Sequence, residues 1–470
     1  ATQAATNSYI STSSVIDLKL NKELGITAVF DPTGACVVPE IIASELTLSK
    51  NCSHYLVQQN VEITPTGKLI IEEGVEIWMP DNGTITANGP IVALGSAQNP
   101  IVFRSNPHSE AQKWGIINIV DVADTSYFKH VQIENASAGM HPIRETAAIS
   151  AYHSVIVIDN VTIENVYGNP IAARYSDVWL TNSNLHSSIT GDLINVKYGK
   201  GFINNCTFKG NSQPDTDAID YDDVVNGVIK NCIIHDFHGS NSDAIDIGEQ
   251  SQNVLIDSIF VYNITDKGVS VGQQSSATIS NSIFTACNLG AGLKDSSRVS
   301  INHCTFYGNY IPVAVYEKNP GDAGGNVRVG NSILSNSYGS TVLCDEYSTL
   351  QVNYSLSDND SLPQAGNNIF GNPYFDNPTY YRFGLVGTSQ AIAAATNGGN
   401  LGVELPPVNA QPNLVIDRIF YSSGSWTDYP EFFSIYNPSN SRVDLAGMKI
   451  TRGITFEFPE GSTIEAGESV

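Results

Sequence analysis

A four-residue phrase recurs along the middle of the chain, and it narrows the choice of fold more than any other feature. It reads Asn160-Val161-Thr162-Ile163, Asn182-Ser183-Asn184-Leu185, Asn205-Cys206-Thr207-Phe208 and Asn231-Cys232-Ile233-Ile234. It continues as Asp257-Ser258-Ile259-Phe260, Asn281-Ser282-Ile283-Phe284, His303-Cys304-Thr305-Phe306, Asn331-Ser332-Ile333-Leu334 and Asn353-Tyr354-Ser355-Leu356. Successive copies lie 22 to 28 residues apart, and a weaker copy stands at His130-Val131-Gln132-Ile133. Short apolar bursts at that period, punctuated by Gly and Asn, predict one turn of a parallel β-solenoid per copy. No turn can bury its own apolar side, so the turns stack at roughly 4.8 Å and like residues form columns. Seven of the nine phrases start with Asn, which predicts a ladder of side-chain amides. The column Ser183, Cys206, Cys232, Ser258, Ser282 and Cys304 reads as small buried filler.

A second phrase follows about a dozen residues later in each turn. It runs Asp217-Ala218-Ile219-Asp220, Asp243-Ala244-Ile245-Asp246, Lys267-Gly268-Val269-Ser270 and Leu289-Gly290-Ala291-Gly292. Its alternating apolar residues mark another core-facing strand. The fold class expected is all-β: a right-handed parallel β-helix over 56–404, preceded by an N-terminal cap over 1–55. A proline-rich linker follows at 405–412. Period-two strands then run from Leu414 to Phe420, Glu431 to Tyr436, Met448 to Thr451 and Ile454 to Phe458, predicting a β-sandwich over 413–470. It breaks off inside an expected strand, so the sandwich is expected to continue in a longer protein.

The balance of 23 basic against 47 acidic residues, a net charge of −24, disfavours nucleic acid and anionic lipid as partners. No apolar run is long enough to span a bilayer. The seven cysteines, Cys36, Cys52, Cys206, Cys232, Cys287, Cys304 and Cys344, fit no metal spacing. Being odd in number, they leave at least one thiol free or paired outside the chain. The small polar start and the Asn- and Thr-rich, Lys-poor composition fit an extracellular or outer-surface setting.

Two resemblances follow from particular residues. The segments Glu431-Phe432-Phe433-Ser434-Ile435-Tyr436-Asn437-Pro438, Val443-Asp444-Leu445-Ala446-Gly447 and Phe458-Pro459-Glu460-Gly461-Ser462 are similar to the lamin-tail domain, an Ig-like accessory module. The segments Gly95-Ser96-Ala97-Gln98-Asn99-Pro100-Ile101-Val102-Phe103, Asp266-Lys267-Gly268-Val269-Ser270 and Lys294-Asp295-Ser296-Ser297 resemble right-handed β-helix repeat proteins of the pectate-lyase-like superfold. The pairing resembles secreted and surface proteins of Bacteroidetes type. It implies no single activity, because the superfold hosts lyases, hydrolases, adhesins and stalks.

The strongest chemical signal is acidic. Stacking places Asp192, Asp217 and Asp243 in one column with Lys267 next, and Asn195, Asp220, Asp246 and Ser270 in the adjacent column. Carboxylates at that spacing raise one another's pKa or require a cation. Asp217, Asp220, Asp243 and Asp246 are therefore candidate Ca²⁺ ligands. Asp217, Asp243, Lys267 and Lys294 are candidate catalytic residues, as an acid/base pair or as a lysine base for β-elimination. The order Asp217, Asp243, Asp266-Lys267-Gly268, Gly292-Leu293-Lys294 also resembles the motifs of polygalacturonase-like hydrolases. It departs from them at Ser242, where that family has a second Asp, at Lys267, where it has His, and at Gly292, where it has Arg. Tyr198, Tyr221, Tyr262, Tyr316 and Trp179 are candidate sugar-stacking rings. Three readings of the acidic face remain open: ion pairs that only hold turns together, a cation site, and catalysis. At the level of function, a secreted β-helix that binds polysaccharide or serves as an adhesive stalk stands beside a lyase or hydrolase of an acidic glycan.

Overall fold

A computed structural model describes residues 35–403 apart from 53, 188, 190, 360, 361, 364 and 365, together with 414–420, 432–438, 442–446, 448–450 and 455–470. It divides into two units: the chain up to Tyr374 with Leu385–Glu404, and Phe375–Gly384 with Leu405–Val470. The first unit is a right-handed parallel β-solenoid.

Each turn contributes three short strands. The first-sheet strands run from Cys36–Val37 through Thr162–Val166, Thr207–Lys209 and Ile233–Phe237 to Ile369–Phe370. The second-sheet strands include Ala147–Tyr152, Asn169–Arg174, Ile194–Lys197, Ile219–Asp222, Ile245–Gly248 and Ile311–Tyr316. The first two sheets fuse, because Phe260–Val271 and Ile283–Lys294 run through both. The third sheet has thirteen strands, among them Asp177–Thr181, Lys200–Asn204, Ser276–Ser280, Arg298–Asn302 and Asn326–Gly330. The interior is a continuous apolar column running from Val38 to Leu362. Val61–Ile63 illustrates its pattern, with both ends buried and Glu62 outward.

The first described turn begins ahead of the boundary read at residue 56. Cys36–Val37, Ile41–Ile42 and Glu45–Leu48 already pair in parallel with the strands one turn above. A Cys36–Cys52 disulfide closes this turn, leaving five free cysteines. Residues 1–34 of the expected cap, and the expected linker, lie outside the described residues.

The Asn column sits where the third sheet turns into the first. Asn160, Asn182, Asn205, Asn231, Asn281 and Asn331 are all left-handed there, with φ between 48° and 57°. Asn tolerates this region because its short side chain bonds locally. The Asn205 amide donates to Asn182 Oδ1 at 2.6 Å and Asn231 to Asn204 Oδ1 at 2.7 Å. Two phrases fall one residue out of step with the sequence alignment. Pairing of Ile233 with Phe260 and of Ile333 with Leu356 puts Ser258 and Tyr354 at the left-handed corner. Ile259 and Ser355, not Ser258 and Tyr354, thus occupy the next column. That column is more than filler. Ser183 Oγ accepts from Val161 N at 3.0 Å and donates to Thr181 O at 2.7 Å, and Ser282 does the same for Ile259 N and Ser280 O.

In the second unit Val415–Phe420 pairs antiparallel with Phe432–Tyr436, Val443–Asp444 with Thr463–Ile464 and Lys449–Ile450 with Phe456–Glu457. Val443, Leu445 and Ile464 form its small core. This matches the expected start of an Ig-like sandwich. The strand ends placed at Glu431, Thr451 and Ile454 lie outside the described residues.

Candidate functional site on the second sheet

The side chains of the second sheet alternate between the core and the opposite face, part of which, at Ser270 and Lys294, is itself buried. Ile219 and Tyr221, Ile245 and Ile247, and Val269 and Val271 point into the core, so Asp220, Asp246 and Ser270 point out. Register stacks Asn195 on Asp220, Asp220 on Asp246, Asp246 on Ser270 and Ser270 on Gly292. One column away Arg174, Lys197, Asp222 and Gly248 stack in turn. At the start of these strands Leu193 N donates to Asp217 O, and Ala244 N to Lys267 O. Asp192, Asp217, Asp243 and Lys267 thus follow one another as the sequence period requires.

The carboxylates are held tightly. Asn195 Nδ2 bridges Asp192 and Asp220. Asp243 N donates to Asp217 Oδ1 at 2.6 Å. Asp243 and Lys267 are both buried, at 4% and 5% exposure, which forces them to pair. The Lys267 ammonium lies 3.2 and 3.3 Å from the two Asp243 oxygens and 2.6 Å from Asp266 Oδ2, and Lys267 N also donates to Asp243 Oδ1. Lys294 reaches Ser270 Oγ at 2.7 Å. Lys197 pairs with Asp222 at 3.2 Å and Glu249 at 2.6 Å.

Burial, reinforced by neighbouring carboxylates, pushes these groups upward. Asp192 rises to about 6, despite the Asn195 amide. Burial raises Asp243 to about 7 even though Lys267 pulls it down. Asp217 and Asp220 rise well above the ordinary carboxylate range for the same reasons. Lys267 is held above the ordinary lysine value because Asp243 and Asp266 outweigh its burial. Perturbed groups of this kind, clustered on one face, mark candidate sites.

Two departures from the hydrolase motif fit one another. A Cβ on Gly292 would lie 2.7 Å from Lys267 Cδ, so the missing side chain is the space through which the Lys267 stem reaches Asp243. Ser242 has become structural. Its buried hydroxyl accepts from Thr216 N at 3.1 Å and donates to Gln213 O.

The four expected cation ligands do not converge. Asp243 is engaged by Lys267 and Asp217 by a backbone N–H, and among the described residues no three His, Cys, Asp or Glu side chains are grouped to hold a metal. Of the candidate rings, Tyr221 points inward and is fully buried, so it offers no face to a sugar. Trp179 lies on the third sheet, 38% exposed. Tyr262 stacks on His235 in the first sheet. Tyr198 stacks on Tyr175 at 4.8 Å with the Arg174 guanidinium 5.0 Å from its ring. Tyr316 joins the Asp243–Lys267 cluster, its hydroxyl pushed up by burial.

Sequence reasoning missed the roles of Asp266 and Arg174 and a loop over 139–146. Arg174 was within reach, since it heads the Lys197 column. The loop has no repeat signal. Glu145 ties it down by accepting from Met140 N, His141 N and Asn118 Nδ2. Arg144 lies 5.3 Å from the Tyr152 ring. Together with Ile143, Ser150, Arg174, Asp192 and Asn195 it lines a cavity of about 250 Å³ at one end of the acidic row.

The family model for the right-handed β-helix region matches residues 114–240 and 235–380, more than half of the chain. The chain belongs to the right-handed β-helix family. The Lamin Tail Domain model matches residues 407–470. A mutant of the periplasmic alginate epimerase AlgG superposes with a TM-score of 0.51 at 10% identity, over 64% of this β-helix chain and 78% of that one. A double mutant of the same epimerase gives 0.50 at 10% identity, with the same coverage. Pectate lyase Pel9A gives 0.30 at 13% identity, covering 72% and 88%. The two epimerase superpositions concern the fold alone. No curated protein matches the chain, and no helix among the described residues is long and apolar enough to cross a membrane.

Proposed function

We propose that this β-helix is a secreted or cell-surface module that binds polysaccharide along the outer face of its second sheet. The observation that carries the reading is the row Asp192, Asp217, Asp220 and Asp243, whose carboxyl groups are all held above the ordinary range on successive turns. A row of carboxyls that hold their protons more firmly than free ones offers both donors and acceptors, which suits a chain of sugar hydroxyls. The cavity beside Arg144 and Arg174 adds guanidinium groups at one end. From Arg174 to Lys294 the face spans five turn spacings, roughly 24 Å. The shared fold of an alginate epimerase agrees with a polysaccharide partner but does not carry the argument.

A second reading, a lyase or hydrolase of an acidic glycan, is favoured by Asp243. A carboxyl near 7 between a lysine and further carboxylates is poised for acid/base work. The test is calorimetric titration with alginate, polygalacturonate and a neutral β-glucan, with calcium and with chelator, on wild type and Asp217→Asn/Asp243→Asn. Binding lost in the variant is expected. Unchanged affinity in the variant, or no binding by wild type, overturns the reading. New reducing ends or the ultraviolet absorbance of an unsaturated product establishes the second.

A further inference from the structure

The third sheet carries a patch whose chemistry is opposite to that of the rest of the chain. Register stacks Arg298 on Asn326, and Ser300 on Arg328. Arg328 is therefore one turn up and two residues along from Arg298, a backbone separation of roughly 8 Å. Both side chains alternate away from the buried Val299 and Val327. Between them lies a depression of about 350 Å³ lined by Ser276, Thr278, Ser300, Asn326 and both arginines. A second depression, of about 320 Å³, adjoins Arg298 and is lined by Gln250, Gln252, Gln274 and Ser296. Neither contains a carboxylate in its lining, on a chain whose net charge is −24.

The two guanidiniums also differ from their counterparts. Arg104, Arg382, Arg418 and Arg442 each face a carboxylate. Arg144 and Arg174 each lie over tyrosine rings. Among the described residues Arg298 and Arg328 are the two arginines with neither kind of partner. Two like charges at this spacing, with no carboxylate in the lining of either depression, favour an anion seated between them; the carboxylates of Asp223, Glu249, Asp295 and Asp322 line the next depression, beyond Gln250 and Gln274. Each planar fork can hold a carboxylate or sulfate through two parallel N–H donors. The flanking hydroxyls and amides supply neutral contacts of the kind a sugar ring uses.

We propose that Arg298 and Arg328 form a second binding site, on the third sheet, for an anionic glycan whose carboxylate or sulfate groups the two guanidiniums grip. The site is separate from the acidic row on the second sheet and does not depend on the function proposed for it.

The test is affinity electrophoresis of the full chain through gels containing dextran sulfate, polygalacturonate or neutral dextran. The variants are Arg298→Gln/Arg328→Gln and, as a control with the same change in charge, Lys50→Gln/Lys68→Gln. Wild type is expected to be retarded in one or both polyanion gels and not in dextran. The gel that retards it identifies sulfate or carboxylate as the group recognised. The arginine double variant is expected to bind at least tenfold more weakly, with an unchanged circular dichroism spectrum and urea midpoint, and the lysine control is expected to bind as wild type does. Conservative Arg298→Lys/Arg328→Lys is expected to recover only part of the affinity, since ammonium groups lack the fork. Free migration of wild type in both polyanion gels overturns the proposal, as does equal retardation of the arginine variant. Loss of binding in the lysine control to the same extent as in the arginine variant also overturns it, because overall charge then explains the result. The polygalacturonate arm is run with Asp217→Asn/Asp243→Asn as the background of every protein compared, so that second-sheet binding contributes to none of them and the two sites fail independently.

Discussion

Replacing Asp243 by Asn should remove much of a specific pH dependence from the stability of the solenoid. The fold raises this carboxyl from its usual 3.8 to about 7, so the folded state prefers the protonated form. Below pH 4 the group is protonated whether the chain is folded or not, and its ionisation costs nothing. As pH climbs from about 4 to about 7 the unfolded chain loses the proton while the folded chain keeps it, and stability falls. Above 7 the penalty levels off. The difference of about three pH units, at about 1.36 kcal/mol each, sets a penalty on the order of 4 kcal/mol. That is an upper bound, because the neighbouring Asp217 is raised along with Asp243 and the two act on each other. Spread over a solenoid of about 370 residues unfolding with roughly 2.1 cal/mol/K each, 4 kcal/mol corresponds to a melting shift of roughly 5 °C. Asn keeps an Oδ1 to accept from Lys267 N, so the backbone bond at 2.9 Å survives the substitution. The assay is thermal melting of wild type and Asp243→Asn from pH 4.5 to pH 8. The variant is expected to gain on wild type steadily across this range. A gap that stays constant with pH would falsify the claim that Asp243 is held protonated by its surroundings.

Gly292→Ala places a methyl 2.7 Å from Lys267 Cδ and should swing the ammonium away from Asp243. Polysaccharide affinity is expected to fall about fivefold, equivalent to about 1 kcal/mol, and the urea midpoint to fall as well, because a buried ion pair is broken; unchanged affinity in the folded variant would remove Lys267 from the site. Tyr221→Phe deletes a buried hydroxyl with no hydrogen-bond partner among the described residues and should stabilise the fold by about 1 kcal/mol, read as a higher urea midpoint. Ser183→Ala strands the buried Val161 N–H and should destabilise by about 1–3 kcal/mol. Ser183→Cys should cost less, since Cys206 and Cys232 occupy the same column one and two turns on.

The columns of the second sheet were legible because a period-two strand leaves one choice of register once its apolar face is known. Ile219 and Ile245 fix that face, and Asp217, Asp220, Asp243 and Asp246 follow. The corner was harder to read. Asp257-Ser258 and Asn353-Tyr354 look like the other phrases, but the left-handed residue is the second of each pair, because the preceding third-sheet strand runs one residue further there. Composition could not tell these two positions apart, since Asp and Asn serve equally at a strand end and at a turn. The inward position of Tyr221 was readable from its place two residues after Ile219, although its size suggested a surface ring. The 139–146 loop was not readable at all. Its anchor, Glu145, works through backbone N–H groups that leave no trace in a repeat. What decides the site is likewise partly invisible in sequence: the pairing of Lys267 with Asp243 depends on the absent side chain of Gly292 one turn above.

The spacing that builds the solenoid also explains why its acidic row holds protons. Two carboxylates one turn apart, roughly 4.8 Å, repel by about 3.5 kcal/mol at an effective dielectric of about 20. That alone is about 2.5 pH units between neighbours. Burial is the larger cause for Asp192, Asp217, Asp220 and Asp243, and this repulsion reinforces it. Full ionisation of the row is therefore resisted until something offsets the charge, and Lys267 does so for one member only. A cation entering the row has to displace the protons that Asp192 retains up to about pH 6 and Asp243 up to about pH 7. Because the carboxylates do not converge on a metal, calcium is expected to bind the row weakly and only as pH rises through that window, and calorimetry in two buffers of different ionisation heat should register protons released per ion bound. Calcium binding without proton release would place the ion elsewhere on the molecule, because carboxylates already ionised have no protons to give up.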